Sequence, residues 1–78
     1  MSRLTKQYTG LKDKNGVKIF EGDIVKVDFM PYTYEIYFTM GGFRAKSKDF
    51  DFPIHAFLEE NDLEVIGNIY ENKELLKI

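Results

Sequence analysis

One histidine, His55, two serines, Ser2 and Ser47, and no cysteine are all that this 78-residue chain offers of those three reactive types. Catalysis needs several polar groups converging with tuned pKa values. Neither serine has the histidine nearby in sequence, and neither stands in a nucleophile-elbow pattern. His55 lies between Ile54 and Ala56, the setting of a structural loop or first-turn histidine. Asp49 and Asp51 flank Phe50 like half of a metal loop, but a calcium loop needs more oxygen ligands at set spacing and a closing Glu. The Glu59-Glu60-Asn61-Asp62 cluster is too local to wrap an ion. Gly10, Gly16 and Gly22 recur every six residues. No Lys-Ser or Lys-Thr pair follows a glycine, so they are turn residues and not a phosphate cradle. The pattern predicts no catalytic residues, no metal ligands, no cofactor and no enzyme.

Binding is better supplied. Tyr32, Tyr34 and Tyr37 crowd one stretch, Arg44 and Lys46 follow, and Phe50, Phe52 and Phe57 come next. Stacked tyrosines beside cations suit single-stranded nucleic acid or a base-containing ligand. Cross-strand packing on a covered sheet uses the same residues. Tyr37 falls among polar neighbours and so marks either a second small core or an interface. These eight residues are the candidate interaction set.

Seventy-eight residues allow one domain, spanning 1–78, with 1–7 as a polar, flexible leader. Such a domain retains a net stability of only about 3–5 kcal/mol, and nature often adds disulfides, a metal or a partner. Without cysteine and with one histidine, aromatic packing and self-association remain; the chain has seven Phe and five Tyr. A cysteine-free chain fits a reducing cytoplasm. The first residues lack a signal-peptide apolar run, and no stretch is long enough to span a membrane. Residues 1–48 carry nine Lys/Arg against five Asp/Glu, and residues 49–78 carry two against eight, so the halves differ in sign. Opposed charge favours a second copy or a charged partner. The lysines are interleaved with acids, which disfavours nucleic acid.

The elements that must position these groups read as strands. Asn15-Gly16 is a hairpin signal between Leu11–Asp13 and Val17–Phe20, with positive φ expected at Gly16. Runs 24–30, 32–40 and 43–48 alternate with period two and predict a meander, with Gly41-Gly42 closing one hairpin. The alternation buries Val25, Val27, Phe29, Ile36 and Phe38, joined by Val65 and Ile66 of a last strand over 63–70. It turns Thr33, Glu35, Tyr37 and Thr39 outward. Residues 48–53 fit either a strand or a tucked loop. Ile54 to Asn61 has the spacing of one helical turn, and 71–76 reads as a short C-terminal helix or tail. The fold expected is mainly β: a small antiparallel, SH3-like or barrel-like sheet.

Two segments carry a resemblance. Tyr8-Thr9-Gly10-Leu11-Lys12-Asp13 through Asn15-Gly16, then Phe20-Glu21-Gly22-Asp23-Ile24-Val25, is similar to the opening motif of the YopX family of phage and prophage proteins. Leu63-Glu64-Val65-Ile66-Gly67-Asn68-Ile69-Tyr70-Glu71-Asn72 resembles that family's ending. The middle, Phe29 to Asp62, carries no motif assigned to the family. The resemblance implies a small, mainly β protein of phages of Gram-positive bacteria, with oligomers among its forms. It brings no catalytic or binding residues.

The function expected is a non-enzymatic accessory protein in the host bacterial cytoplasm, a binding module that modulates or inhibits a host protein such as a defence nuclease. A small oligomer that sequesters a nucleotide signal and a nucleic-acid-binding accessory protein are the alternatives. The partner expected is a host protein or a second copy, and no membrane.

Overall fold

A computed structural model describes residues 6–57 and 59–72, without the side chains of Ala56 and Phe57. Turn chemistry sets the first element. Asp13 Oδ1 accepts the backbone N–H groups of Asn15 (2.8 Å) and Val17 (2.9 Å), and the Gly16 N–H reaches the Asp13 carbonyl at 3.0 Å. This side-chain-bound turn, with φ +82° at Gly16, joins β1 (Tyr8–Lys12) to β2 (Lys18–Phe20) as a two-stranded ribbon. The positive φ expected at Gly16 is present. The Glu21 N–H donates to the Gln7 carbonyl, so residue 7 of the expected leader already pairs with the ribbon; residues 1–5 lie outside the described set.

Asp23 closes the next turn by accepting the Phe20 N–H on Oδ2 at 2.7 Å. There follow β3 (Asp23–Val27), β4 (Thr33–Thr39), β5 (Gly42–Lys46), β6 (Asp51–Pro53), the single-turn α1 (Ile54–Phe57), a 3-10 turn (Glu60–Asp62) and β7 (Leu63–Asn68). β3 to β7 form one antiparallel sheet in the order β6-β5-β4-β3-β7. The mainly β, antiparallel reading is correct. The sheet is open, with β6 and β7 at its edges, and does not close into a barrel. The ambiguous 48–53 stretch divides into a bend and the edge strand β6. The helical turn begins at Ile54 as expected and is shorter. Residues 73–78, which hold most of the expected terminal helix or tail, lie outside the described set.

Period-two alternation delivers Val25, Val27, Tyr34, Ile36 and Ala45 to one core, completed by Ile19 from the ribbon, Ile54 from α1 and Leu63 from β7. All eight are fully buried. Four expected core residues depart from the reading. Phe29 is 64% exposed because β3 stops at Val27. The Asp28 N–H goes to the Asp62 carbonyl and the Met30 N–H to the Val27 carbonyl, so alternation ends and Met30, not Phe29, packs on the core. Phe38 is 46% exposed because β4 overhangs β3: their pairing ends at Glu35, and only Phe43 lies across from Phe38. Val65 and Ile66 are half-buried because β7 is an edge strand.

The N-terminal ribbon and the segment around β7 are locked together. Asp13 Oδ2 accepts the Val65 N–H at 2.9 Å, and the Lys14 N–H donates to the Leu63 carbonyl at 2.9 Å. Gly22 donates to the Ile36 carbonyl at 2.7 Å and accepts the Ile69 N–H at 2.8 Å. Its φ is +91°, and a Cβ there would lie 2.8 Å from the Tyr70 ring. Burial tends to raise the Asp13 pKa, but the N–H groups of Val65, Val17 and Asn15, with Lys14 nearby, outweigh it and hold the carboxyl below its ordinary 3.8.

Asp13→Ala strands three donors and should destabilise the domain by roughly 3 kcal/mol or more, read by urea or thermal unfolding. A lowered folded-state pKa adds stability above the unfolded value that is lost as pH falls through the folded one. Acidification below 3.8 should therefore erode the gap between wild type and Asp13→Ala. A gap independent of pH would show that the charge is irrelevant. Asp23, whose pKa burial raises against the Phe20 N–H, has the opposite dependence and is common to both proteins. Gly16→Val meets open space, so its expected cost, roughly 1–2 kcal/mol in a thermal melt, comes from the left-handed backbone alone.

Candidate functional site

The hairpin β4–β5 and its edge strand β6 hold the best-organised exposed polar groups of the described residues. Alternation turns Tyr37 to the face opposite Ile36, and register places it across from Arg44. Lys46 stands opposite Asp51 on β6. The four side chains form one cluster. The Tyr37 hydroxyl donates to Asp51 Oδ2 at 2.7 Å, and Arg44 Nε donates to Asp51 Oδ1 at 2.8 Å. Arg44 Nη2 also donates to the Asp51 carbonyl at 3.2 Å. Lys46 Nζ sits 4.7 Å from the centre of the Tyr37 ring.

Electrostatics follows that geometry. The Tyr37 hydroxyl and the Arg44 guanidinium hold the Asp51 carboxyl below its usual range. The same hydrogen bond to Asp51 raises the Tyr37 phenol above its ordinary value, so it stays a donor at neutral pH. A protonated phenol bonded to a carboxylate is no general base. A rigid aromatic with satisfied charged neighbours is instead suited to contact, since little side-chain freedom is left to lose.

The eight sequence candidates separate. Tyr37, Arg44 and Lys46 meet on this outer face. Tyr34 is fully buried, its hydroxyl 3.8 Å from Met30 Sδ, and its ring lies 5.5 Å from Phe52, which packs against the core. Those two are structural. Tyr32 and Phe50 pair at 6.1 Å, with Tyr32 against the core and Phe50 45% exposed. Phe57 belongs to α1, and its side chain is outside the described set. His55 follows Ile54 on α1, exposed, its ring 6.5 Å from that of Phe43.

Sequence reasoning missed the hub. Asp51 was weighed with Asp49 as half of a metal loop, whereas its oxygens organise Tyr37 and Arg44. With Phe52 facing the core, period two alone places Asp51 on the Tyr37 face. Among the described residues, no three His, Cys, Asp or Glu are grouped to hold a metal. Nor is any described helix long and apolar enough to cross a membrane.

Comparison with known proteins adds the lineage. The family model described as YopX protein matches residues 2–77. The chain belongs to the YopX family. Membership supports a small protein of phage type. The match runs through the middle segment 29–62, which the two motifs alone had left unassigned. The crystal structure of protein EF1440 from Enterococcus faecalis is similar, at 44% identity and a TM-score of 0.69, over 92% of this chain and 54% of that one. The chain thus spans about half the length of that protein. No curated protein matched. Within this YopX fold the two motif segments are the ones that Asp13 and Gly22 bind together, and the Tyr37 face lies between them in sequence.

Tyr37→Phe removes one donor from Asp51. In a carboxyl NMR titration, Asp51 should titrate below 3.8 in the wild type and move up toward it in the variant. An unmoved midpoint would mean that the phenol does not set the charge.

Proposed function

We propose that this YopX protein is a non-enzymatic accessory module of phage type that acts in the bacterial host cytoplasm by binding a host protein and modulating or inhibiting it. One observation carries the reading: Tyr37, Arg44, Lys46 and Asp51 form a preorganised aromatic and charged face on an exposed hairpin. Tyr and Arg dominate the binding energy of protein interfaces, and prior ordering lowers the entropic cost of association. The face counts against nucleic acid as the partner. Arg44, its leading candidate for phosphate, already spends two donors on Asp51. A defence nuclease is a fitting host target for such a module.

The test is affinity capture from cleared extract of Enterococcus faecalis, the organism of the similar protein EF1440, with and without nuclease treatment. The expected result is a defined host protein, retained after nuclease and weakened about tenfold or more by the double variant Tyr37→Ala, Arg44→Ala. Capture abolished by nuclease would favour the nucleic-acid alternative. Capture of no host protein would overturn the reading.

A further inference from the structure

We propose that the tip of the β4–β5 hairpin is an apolar knob that enters an uncharged, apolar cleft on the host protein; this rests on the reading above and names the anchor of the contact. From Ile36 to Phe43 the chain runs Ile-Tyr-Phe-Thr-Met-Gly-Gly-Phe, with no charged residue in a protein that is 31% charged. Thr39 pairs with Gly42, so Met40 and Gly41 form a two-residue turn, and Gly42 takes φ +125°. Met40 is 99% exposed. Phe38 is 46% exposed, and its ring lies tilted against that of Phe43, with centres 4.8 Å apart. β3 pairing ends at Glu35, so the tip projects past the sheet without a strand beneath Phe38. A β-prone, uncharged, proline-free segment left in water is an aggregation hazard unless something covers it.

Two features decide the occupant. The first is area. Met40 and the exposed part of Phe38 offer on the order of 300 Å², well below the roughly 800 Å² each partner contributes to a stable interface. Two tips laid together would not hold a dimer, so the tip must be enclosed on several sides, as a hot-spot anchor is. Among the described residues, three depressions are lined by charged groups, Lys46 and Lys48, Glu59 and Glu60, or Lys6 and Glu71, and none of these three offers an uncharged seat for the tip of a second copy. The second feature is charge. The tip bears none, and Arg44 beside it is neutralised by Asp51. The complementary cleft is therefore uncharged, and binding should depend little on salt.

On three edge strands, backbone groups that strand addition would need are already taken or missing. On edge strand β6, Pro53 has no N–H and the Asp51 carbonyl accepts from Arg44. On β7, the Val65 N–H is held by Asp13 and the Leu63 carbonyl by Lys14. On β1, the Lys12 N–H donates to Glu60 and the Leu11 N–H to Thr9. At these three edges side chains, not backbone, are left to make a contact.

The test uses the full chain labelled with 13C at its methionine methyls. Met30 packs on the core and serves as the internal reference for Met40. On titration with cleared Enterococcus faecalis extract, the Met40 signal should broaden and the Met30 signal stay sharp. In parallel, capture of the host protein should fall about tenfold or more with Met40→Glu and persist with Met40→Leu. It should also change less than about threefold between roughly 50 mM and 500 mM salt. Because Met40 is solvent-exposed, Met40→Glu should melt with the wild type, which separates lost binding from lost folding. If Met40→Glu binds normally while the Tyr37, Arg44 double variant does not, the tip proposal falls and the host-protein reading stands. If Met40 broadens in the pure protein as concentration rises and light scattering shows a dimer, a second copy is the occupant and the proposal falls. If nothing is captured and Met40 stays sharp in extract, both fall.

Discussion

A single buried carboxylate determines how the pieces of this domain sit together. Asp13 accepts N–H groups of Asn15 and Val17 within its own turn and of Val65 fifty-two residues later. A two-stranded ribbon is marginal in water by itself. Here the ribbon gains stability by lending Ile19 to the core while Asp13 and Lys14 fasten its turn to β7. The same bonds occupy polar backbone groups of an edge strand, which would otherwise invite another chain. One side chain thus shapes a turn, docks a ribbon and seals a sheet edge.

Gly22 performs the matching task at the other end of the ribbon. Its N–H reaches β4 and its carbonyl receives the chain leaving β7, so three separated segments meet at one residue without a side chain. The Tyr70 ring occupies the space where a Cβ would stand. With the ribbon and β7 fixed around β3 in this way, β4 and β5 can run beyond the sheet and still be held in register. The overhang separates two roles: Tyr34, Ile36 and Ala45 fill the core, while Tyr37, Phe38 and Met40 face outward or past the edge.

What was legible in the sequence follows from how local each cause is. Asn15-Gly16 is a local signal, and the turn is where it points, with positive φ at Gly16. The alternation of 32–40 is also local, and Tyr34 and Ile36 take the predicted face. The errors begin where the outcome depends on a partner strand. Nothing between Lys26 and Met30 signals that the Asp28 N–H will meet the Asp62 carbonyl and end the alternation before Phe29. Nothing in Phe38 signals that β3 will be too short to cover it. Asp13 looks like an ordinary turn aspartate, because its third donor, Val65, comes from the far end of the chain. Both family motifs were legible as motifs. That they bind each other was not, since their contact exists only after the middle has folded.

The candidate site shows the same division of cause. Tyr37 interrupts a polar face of its strand, and in the fold it joins a bonded cluster. Its meaning depended on Asp51, which reaches it only through the pairing of β5 with β6. That pairing turns a half-buried tyrosine, an arginine and a lysine, each free to sample many rotamers in the unfolded chain, into one group. An isolated exposed Arg–Asp pair contributes little to stability. The cluster is therefore poorly explained as a device for holding the fold, which the buried Asp13 and the aliphatic core already do. Its order lies at the surface, beside an uncharged projecting tip, and under the binding reading proposed above that order would lower the cost of recognition rather than of folding.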